Sequence, residues 1–273
     1  VSLQSNALRI ARDSPHWPYE LAEIEGPPEE LWVRGEPDVL ARRPRLAIVG
    51  TRAPTPYGAA QSDRFARALA AAGFTIVSGL ARGIDHAAHS AALDVRGSTI
   101  AVLGSGVDRP WPSGPTADAI AERGLLLSEF QPGEPPRPHH FPLRNRVISG
   151  LSSAVLVVEA AHASGSLITA RWAADQGRNV YALPGRVDHP MSRGTHRLIR
   201  EGAMLVESPE DILRDLLGED RTPSSTTEAR PRPDPSGSAG RVLMELRGET
   251  LTSDELSRRL SLALPSVLVD LVE

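Results

Sequence analysis

FPLRNRVISGLSSAVLVVEAAHASGSLIT, residues 141–169, holds the architecture in one stretch. Two arginines flank an asparagine at Arg144-Asn145-Arg146. A helical segment then leads into the apolar run Ala154–Val158, and the stretch closes on Ser164-Gly165-Ser166 and Thr169. A short, continuous aliphatic run bounded by a Gly/Ser loop reads as a strand buried on both faces, as in parallel sheets. The loop after it reads as a helix start, where the first N–H groups lack intrahelical partners. Cations before the strand and oriented amides after it suit an anionic ligand.

The same cycle repeats on either side. Strand-like runs fall at Leu46–Val49, Phe74–Val77, Thr99–Leu103, Leu125–Leu127, Val180–Leu183 and Ala203–Val206. Helical patterns lie between them; in Gln61–Ala72, for example, Phe65, Ala68, Leu69 and Ala72 share one face. This alternation predicts an α/β fold over residues 14–217: an extended Rossmann-like three-layer sandwich with a mostly parallel sheet. Ligands of such sheets bind beyond the carboxyl ends of the strands. The loops there are Gly50–Gly58, Ser78–Asp85, Gly104–Gly114, Glu129–Arg146, Glu159–Thr169 and Pro184–Gly194.

The flanks read differently. The chain begins with Val, and Ser5-Asn6-Ala7 has the look of a cloning scar, so residues 1–13 are expected to be a lead-in. The proline-rich stretch His16–Arg43 is expected to be irregular, with Trp17, Leu21, Leu31 and Trp32 covering an apolar edge. Residues 218–239 are rich in Ser, Thr, Pro, Arg and Asp and read as a flexible linker. Residues 240–273 become periodic again and read as a helix-turn-helix, a small C-terminal helical, truncated winged-helix-like unit.

Composition sets limits. The 273-residue chain is 40% hydrophobic but only 4% aromatic, so its core is aliphatic. With no Cys, disulfides, thiolate metal sites and cysteine nucleophiles are excluded. No apolar run approaches the ~20 residues that span a bilayer, and the expected location is cytoplasmic with no membrane partner. The net charge of −4 argues against a duplex-coating protein. All 30 basic side chains are Arg; Arg forks onto phosphate and stacks on bases, although codon bias accounts for the same fact.

Each candidate constellation has two readings. Gly50-Thr51-Arg52 offers close backbone approach, a hydroxyl and a phosphate fork, or else a glycine turn with a solvated Arg. The GxGxxG fingerprint is absent, which disfavours a dinucleotide cofactor. Gly79, Arg82 and Gly83 repeat the theme at the next strand end, where Asp85 is placed to bond backbone amides. His86 and His89 are expected to pack or hydrogen-bond rather than hold a metal. Phe141 beside Arg144, Asn145 and Arg146, with Arg137 upstream, is a single-strand recipe of ring and phosphate forks; equally, the arginines could pair with acids such as Glu129 or Glu159. Ser164, Gly165, Ser166 and Thr169 read as helix cap, anion cradle or both. Glu159 is expected to orient arginines rather than transfer protons. No metal or cofactor is expected.

Taken in order, IVGTRAPTPYG (Ile48–Gly58), VSGLARGIDHAAH (Val77–His89), TIAVLGSGVDRPWP (Thr99–Pro112), FPLRNRVISGLS (Phe141–Ser152) and EAAHASGSLITA (Glu159–Ala170) closely resemble the DprA/Smf family. So do ALPG (Ala182–Gly185) and GTHRLIREGA (Gly194–Ala203). The resemblance implies a DNA-processing protein of natural transformation. Such a protein binds and protects incoming single-stranded DNA, helps load the RecA recombinase, acts as a homodimer and has no established catalytic activity. On that basis Gly50-Thr51-Arg52 matches the family's Gly-Ser/Thr-Arg motif. Phe141 matches its stacking ring, and Arg137 is the nearest equivalent of the basic residue before it. Ser113 stands where the family often has Lys. Some members carry an N-terminal helical domain, which is not expected within residues 1–273, and the C-terminal helices resemble the family's variable winged helix. The family dimerises through the late part of the Rossmann domain, which makes His196, Leu198 and Ile199 the candidates.

Two other readings remain. Related Rossmann proteins of the lysine-decarboxylase-like class are phosphoribohydrolases acting on nucleotide monophosphates, and Arg146 with Glu159 could imitate their catalytic pair. Their PGGxGTxxE signature is missing, because Ala161–Ser166 reads AHASGS. The terminal helices could instead read duplex DNA. However, Leu264–Glu273 has no basic residue for a groove, so a protein contact is the preferred role.

Overall fold

Leu46, Ala47, Ile48 and Val49 lie at the centre of the molecule, and their side chains alternate. In strand β3 (Arg45–Val49) every residue is buried. Leu46 and Ile48 belong to one apolar layer, Ala47 and Val49 to the other. This is the period-two pattern of a strand covered on both faces. The computed structural model describes residues 7–218, 238–246 and 251–271. They form two compact units, the first of 7–218 and the second of 238–246 with 251–271.

The first unit holds β1 (Leu8–Ala11), β2 (Glu30–Gly35), β3, β4 (Thr75–Ser78), β5 (Thr99–Val102), β6 (Leu125–Ser128), β7 (Ala154–Val157), β8 (Asn179–Ala182) and β9 (Met204–Leu205). They make one nine-stranded sheet in the order β1-β2-β6-β5-β4-β3-β7-β8-β9. From β6 to β9 every pairing is parallel, while β1 with β2 and β2 with β6 are antiparallel. Helices α1 (Pro56–Ala71), α2 (Ile84–Asp94), α3 (Pro115–Arg123) and α7 (Pro209–Leu217) supply Phe65, Leu69, Ala88, Ile120 and Ile212 to one side. Helices α4 (His140–Gly150), α5 (Ser166–Asp175) and α6 (Arg193–Arg200) supply Val147, Ala170 and Leu198 to the other. The three-layer Rossmann-like α/β expectation holds.

The chain leaves β3 toward β4 on one side, yet β3 pairs with β7 on the other. Connections therefore diverge between the carboxyl ends of β3 and β7. That switch point is where an open α/β sheet has a crevice.

The N-terminal expectations need correction. Residues 1–13 are not a lead-in throughout: Leu8–Ala11 is a sheet strand, and Ile10 is buried. His16–Arg43, read as irregular, contains β2, whose Leu31 and Val33 face the core. Arg45 ties this segment to the sheet. Its fully buried guanidinium donates to the carbonyls of Leu151 (2.7 Å) and Leu40 (2.9 Å) and to Glu20 Oε1 (2.8 Å). Burial pushes the Arg45 pKa down to about 10, against the pull of Glu20. Burial alone would raise Glu20, but Arg45 and the hydrogen bonds it accepts hold its carboxyl below the usual range.

Of the expected linker, residues 219–237 lie outside the described residues. The second unit packs α8 (Ser238–Glu245), α9 (Ser253–Leu260) and α10 (Leu264–Asp270) around Val242, Leu256 and Val267. Thr252 and Glu255 cap α9 reciprocally.

Candidate nucleic-acid interface

A cleft of about 700 Å³ opens at the switch point between β3 and β7. Gly50, Thr51 and Arg52 form one wall; Phe141, Arg144 and Asn145 form the second; Ser164, Gly165, Ser166 and Thr169 form the third. Stretches far apart in sequence thus meet at one place. Five of the candidates do not line this cleft. Gly79 and Arg82 line a neighbouring one together with Arg52, Phe141 and Arg144, whereas Gly83, Arg137 and Arg146 line neither.

Phe141 is positioned by the start of α4. His140 stacks on Phe130 at 3.9 Å, and its Nδ1 lies 3.1 Å from the Gly104 carbonyl. Phe141 then sits against Gly104, where an added Cβ would come within 3.0 Å of the ring. Two guanidiniums approach that ring: Arg52 at 5.7 Å and Arg144 at 6.0 Å from its centroid. Arg52 is exposed and has no acidic partner among the described residues. Its charge therefore faces the opening uncompensated.

Arg144 is built into the wall. It is 4% exposed and donates to the carbonyls of Gly79 (2.8 Å) and Val102, which joins the ends of β4 and β5. Burial brings its pKa down to about 10, with Asp85 opposing the change and Arg52 adding to it. Asp85 is buried behind it and, as expected, accepts from the amides of Gly79 (3.0 Å) and Ala81 (3.4 Å). Burial raises the Asp85 pKa despite Arg144 and these amides. Arg144 Nε is buried with no partner.

Several candidates have a structural explanation instead. Arg146 forks onto both oxygens of Glu129 (2.6 Å each) and donates to the Gly26 carbonyl (2.8 Å). Its charge is spent inside the fold, which corrects its expected role as a phosphate contact. Arg137 pairs with Glu134 at 3.0 Å and stays at the surface. An added Cβ on Gly79 would strike the Arg144 guanidinium at 2.6 Å, so this glycine makes room for that side chain. Gly83 has φ +82° at the entrance to α2, where a side chain would meet the Thr51 carbonyl. Glu159 does not orient an arginine. It accepts from the Thr55 amide (2.9 Å) and hydroxyl (2.5 Å) and so anchors the start of α1. Arg146 and Glu159 thus have separate partners, and neither lines either cleft.

The amide loop offers less than its composition suggested. Ser164 and Ser166 bond each other at 2.8 Å, and the amides of Leu167 and Ile168 donate to Ser164 and Gly165. Asn145 Nδ2 donates to the Gly165 carbonyl at 3.2 Å and so fixes this loop to α4. His89 is buried against Thr99 at 2.7 Å and His86 lies 3.2 Å from Thr116, the hydrogen-bonding roles expected of them. Among the described residues no group of three His, Asp or Glu side chains could hold a metal.

The family model for DNA recombination-mediator protein A matches residues 9–217, which include β2 to β9, all but the first residue of β1, and every wall of the cleft. The chain belongs to that family. Protein Smf of Escherichia coli is 43% identical over 277 residues, 99% of this chain and 74% of that one. The X-ray structure of DNA processing protein A from Streptococcus pneumoniae superposes with a TM-score of 0.74 at 43% identity, covering 77% of this chain and 75% of that one. A Helicobacter pylori DNA processing protein A, described by its single-stranded DNA binding mode, gives 0.70 at 31%, with coverage of 78% and 96%. The DprA/Smf resemblance is borne out.

Within this family member, sequence reasoning missed Trp111 as a wall of the second cleft and Asp85 as a lining residue of the first. Trp111 carried a signal, since it is a large aromatic in a Gly/Pro-rich loop at a strand end. The dimer candidates are partly buried. His196 Nε2 lies 3.0 Å from the Gly185 carbonyl, and Leu198 packs on the core; the exposed apolar side chains here are Met204 and Leu205 on edge strand β9. No helix among the described residues is long and apolar enough to cross a membrane.

Proposed function

We propose that the chain binds single-stranded DNA without sequence preference in the β3–β7 cleft, and that it does so without catalysis. The observation that carries this reading is the trio of Arg52, Phe141 and Arg144. An exposed, unpaired guanidinium beside an aromatic ring supplies phosphate attraction and base stacking together. The likeness to the Helicobacter pylori protein supports the same ligand class. In the cell, bound DNA is protected and handed to the RecA recombinase during natural transformation, in the cytoplasm.

A homodimer fits this role, because two clefts on one strand raise avidity. Edge strand β9, with Met204 and Leu205 about half exposed, is the surface that favours self-pairing. The test of the binding site is an anisotropy titration of labelled oligo-dT. Arg52→Ala is expected to weaken binding about ten-fold, as loss of a charged hydrogen bond implies. It is also expected to flatten the log–log salt slope by about 0.7, as loss of one phosphate contact implies. Unchanged affinity and slope would remove Arg52 from the site.

A further inference from the structure

Arg52, Phe141 and Arg144 line two clefts. The second, of about 420 Å³, lies between the loops after β4 and β5, and Arg82, Trp111 and Pro112 complete it. With Ala81, also common to both, Arg52, Phe141 and Arg144 form the partition between the two spaces. Trp111 is 57% exposed and makes no ring or cation contact among the described residues. Most of its ring is left in water, although the chain has few aromatics. Arg82 is exposed and has no acidic partner among the described residues. The one acid of the β5 loop, Asp108, accepts from the Gly133 amide at 2.8 Å. The cleft therefore offers an open aromatic face, two cations without a carboxylate partner, Arg52 and Arg82, and room for one small ligand.

We infer that Trp111 is a stacking platform for a second nucleobase, in a subsite that Phe141 and Arg52 separate from the first cleft, with Arg82 meeting the phosphate of that nucleotide. This rests on the single-stranded DNA reading above and extends it. A ring stacks on any base, and a guanidinium meets any phosphate, so the subsite is indifferent to sequence. A strand crossing the partition fills both clefts, whereas a very short one fills only one of them.

The experiment titrates wild type, Trp111→Phe, Trp111→Ala and Arg82→Ala with labelled oligo-dT of increasing length. Anisotropy and intrinsic tryptophan fluorescence are followed together, and thermal melts confirm folding. Wild type is expected to bind with quenching of tryptophan emission. Trp111→Phe keeps affinity within about two-fold and loses most of the quench. Trp111→Ala weakens long oligonucleotides about ten-fold, the loss of one stacked base, and changes the shortest that bind much less. Arg82→Ala weakens the long ones and flattens their salt slope by about 0.7 while the quench persists; this variant keeps the test intact if a Trp111 variant does not fold. Wild-type affinity and quench in Trp111→Ala, or a quench retained in Trp111→Phe, would overturn the stacking role. Failure of wild type to bind oligo-dT at all would overturn the DNA reading and this subsite with it.

Discussion

Arg146 donates to both oxygens of Glu129 and to the Gly26 carbonyl, with side-chain exposures of only 8% and 12% for the ion pair. Arg52 stands in the open beside Phe141. Identical in chemistry, the two arginines should differ in what they support. Removing one partner of a buried pair leaves the other charge uncompensated, so Arg146→Ala should cost about 3–5 kcal/mol in a urea melt. Arg52→Ala should leave the same melt unchanged; equal destabilisation by both would contradict the assignment. His89 makes a pH prediction. Thr99 donates its hydroxyl to the Ile76 carbonyl, so His89 Nδ1 carries a proton and donates to Thr99, while Nε2 is buried without a partner. Burial first, then His86 and Arg144, push the His89 pKa down to about 3, against about 6.5 when unfolded. The unfolded chain therefore binds the extra proton between those values. The contribution of neutral His89 is complete above about pH 6.5 and is lost as pH falls toward 3. Urea midpoints at pH 7.5 and pH 4.5 should differ less in His89→Leu than in wild type. An identical difference would show that His89 does not titrate as described.

Elements buried on both faces were legible because their sequence leaves little choice. Leu46–Val49 and Ala154–Val158 are continuous aliphatic runs, and they became β3 and β7 within one residue at either end. β1 and β2 were not legible, because each buries only alternate residues: Ile10 in one, Leu31 and Val33 in the other. In a proline-rich stretch that pattern resembles irregular chain, and its antiparallel partner β6 is nearly a hundred residues away in β2's register, as in Trp32 with Ser128. The site divides similarly. Motif loops marked Arg52, Phe141 and Ser164–Ser166, but the fate of each arginine depended on which acid the fold brought near it. Composition showed Arg137, Arg144 and Arg146 as one basic cluster; packing sent them to Glu134, to strand-end carbonyls and to Glu129. The exposed apolar pair on β9 belongs to this scale too. Leu205→Glu should convert a dimer to a monomer in sedimentation velocity, since a charge on an edge strand opposes self-pairing. A dimer that persists in this variant would move the interface elsewhere.

At the scale of the molecule, a net charge of −4 coexists with a cationic cleft. Arg52 and Arg82 are set at strand ends without acidic partners among the described residues, while other arginines are neutralised locally by Glu20, Glu129 and Glu134. The sheet makes this separation, because its switch point gathers the loops after β3, β4, β5 and β7 around one ring, Phe141. The central claim is that this opening holds a single strand through phosphate contacts and stacking. The most direct measurement is anisotropy of labelled oligo-dT with wild type and Arg52→Ala across a range of salt. Saturable binding that weakens linearly in log salt, with a slope shallower by about 0.7 and affinity about ten-fold lower in the variant, is the predicted result. No saturable binding by wild type, or superimposable curves for the two proteins, would contradict it.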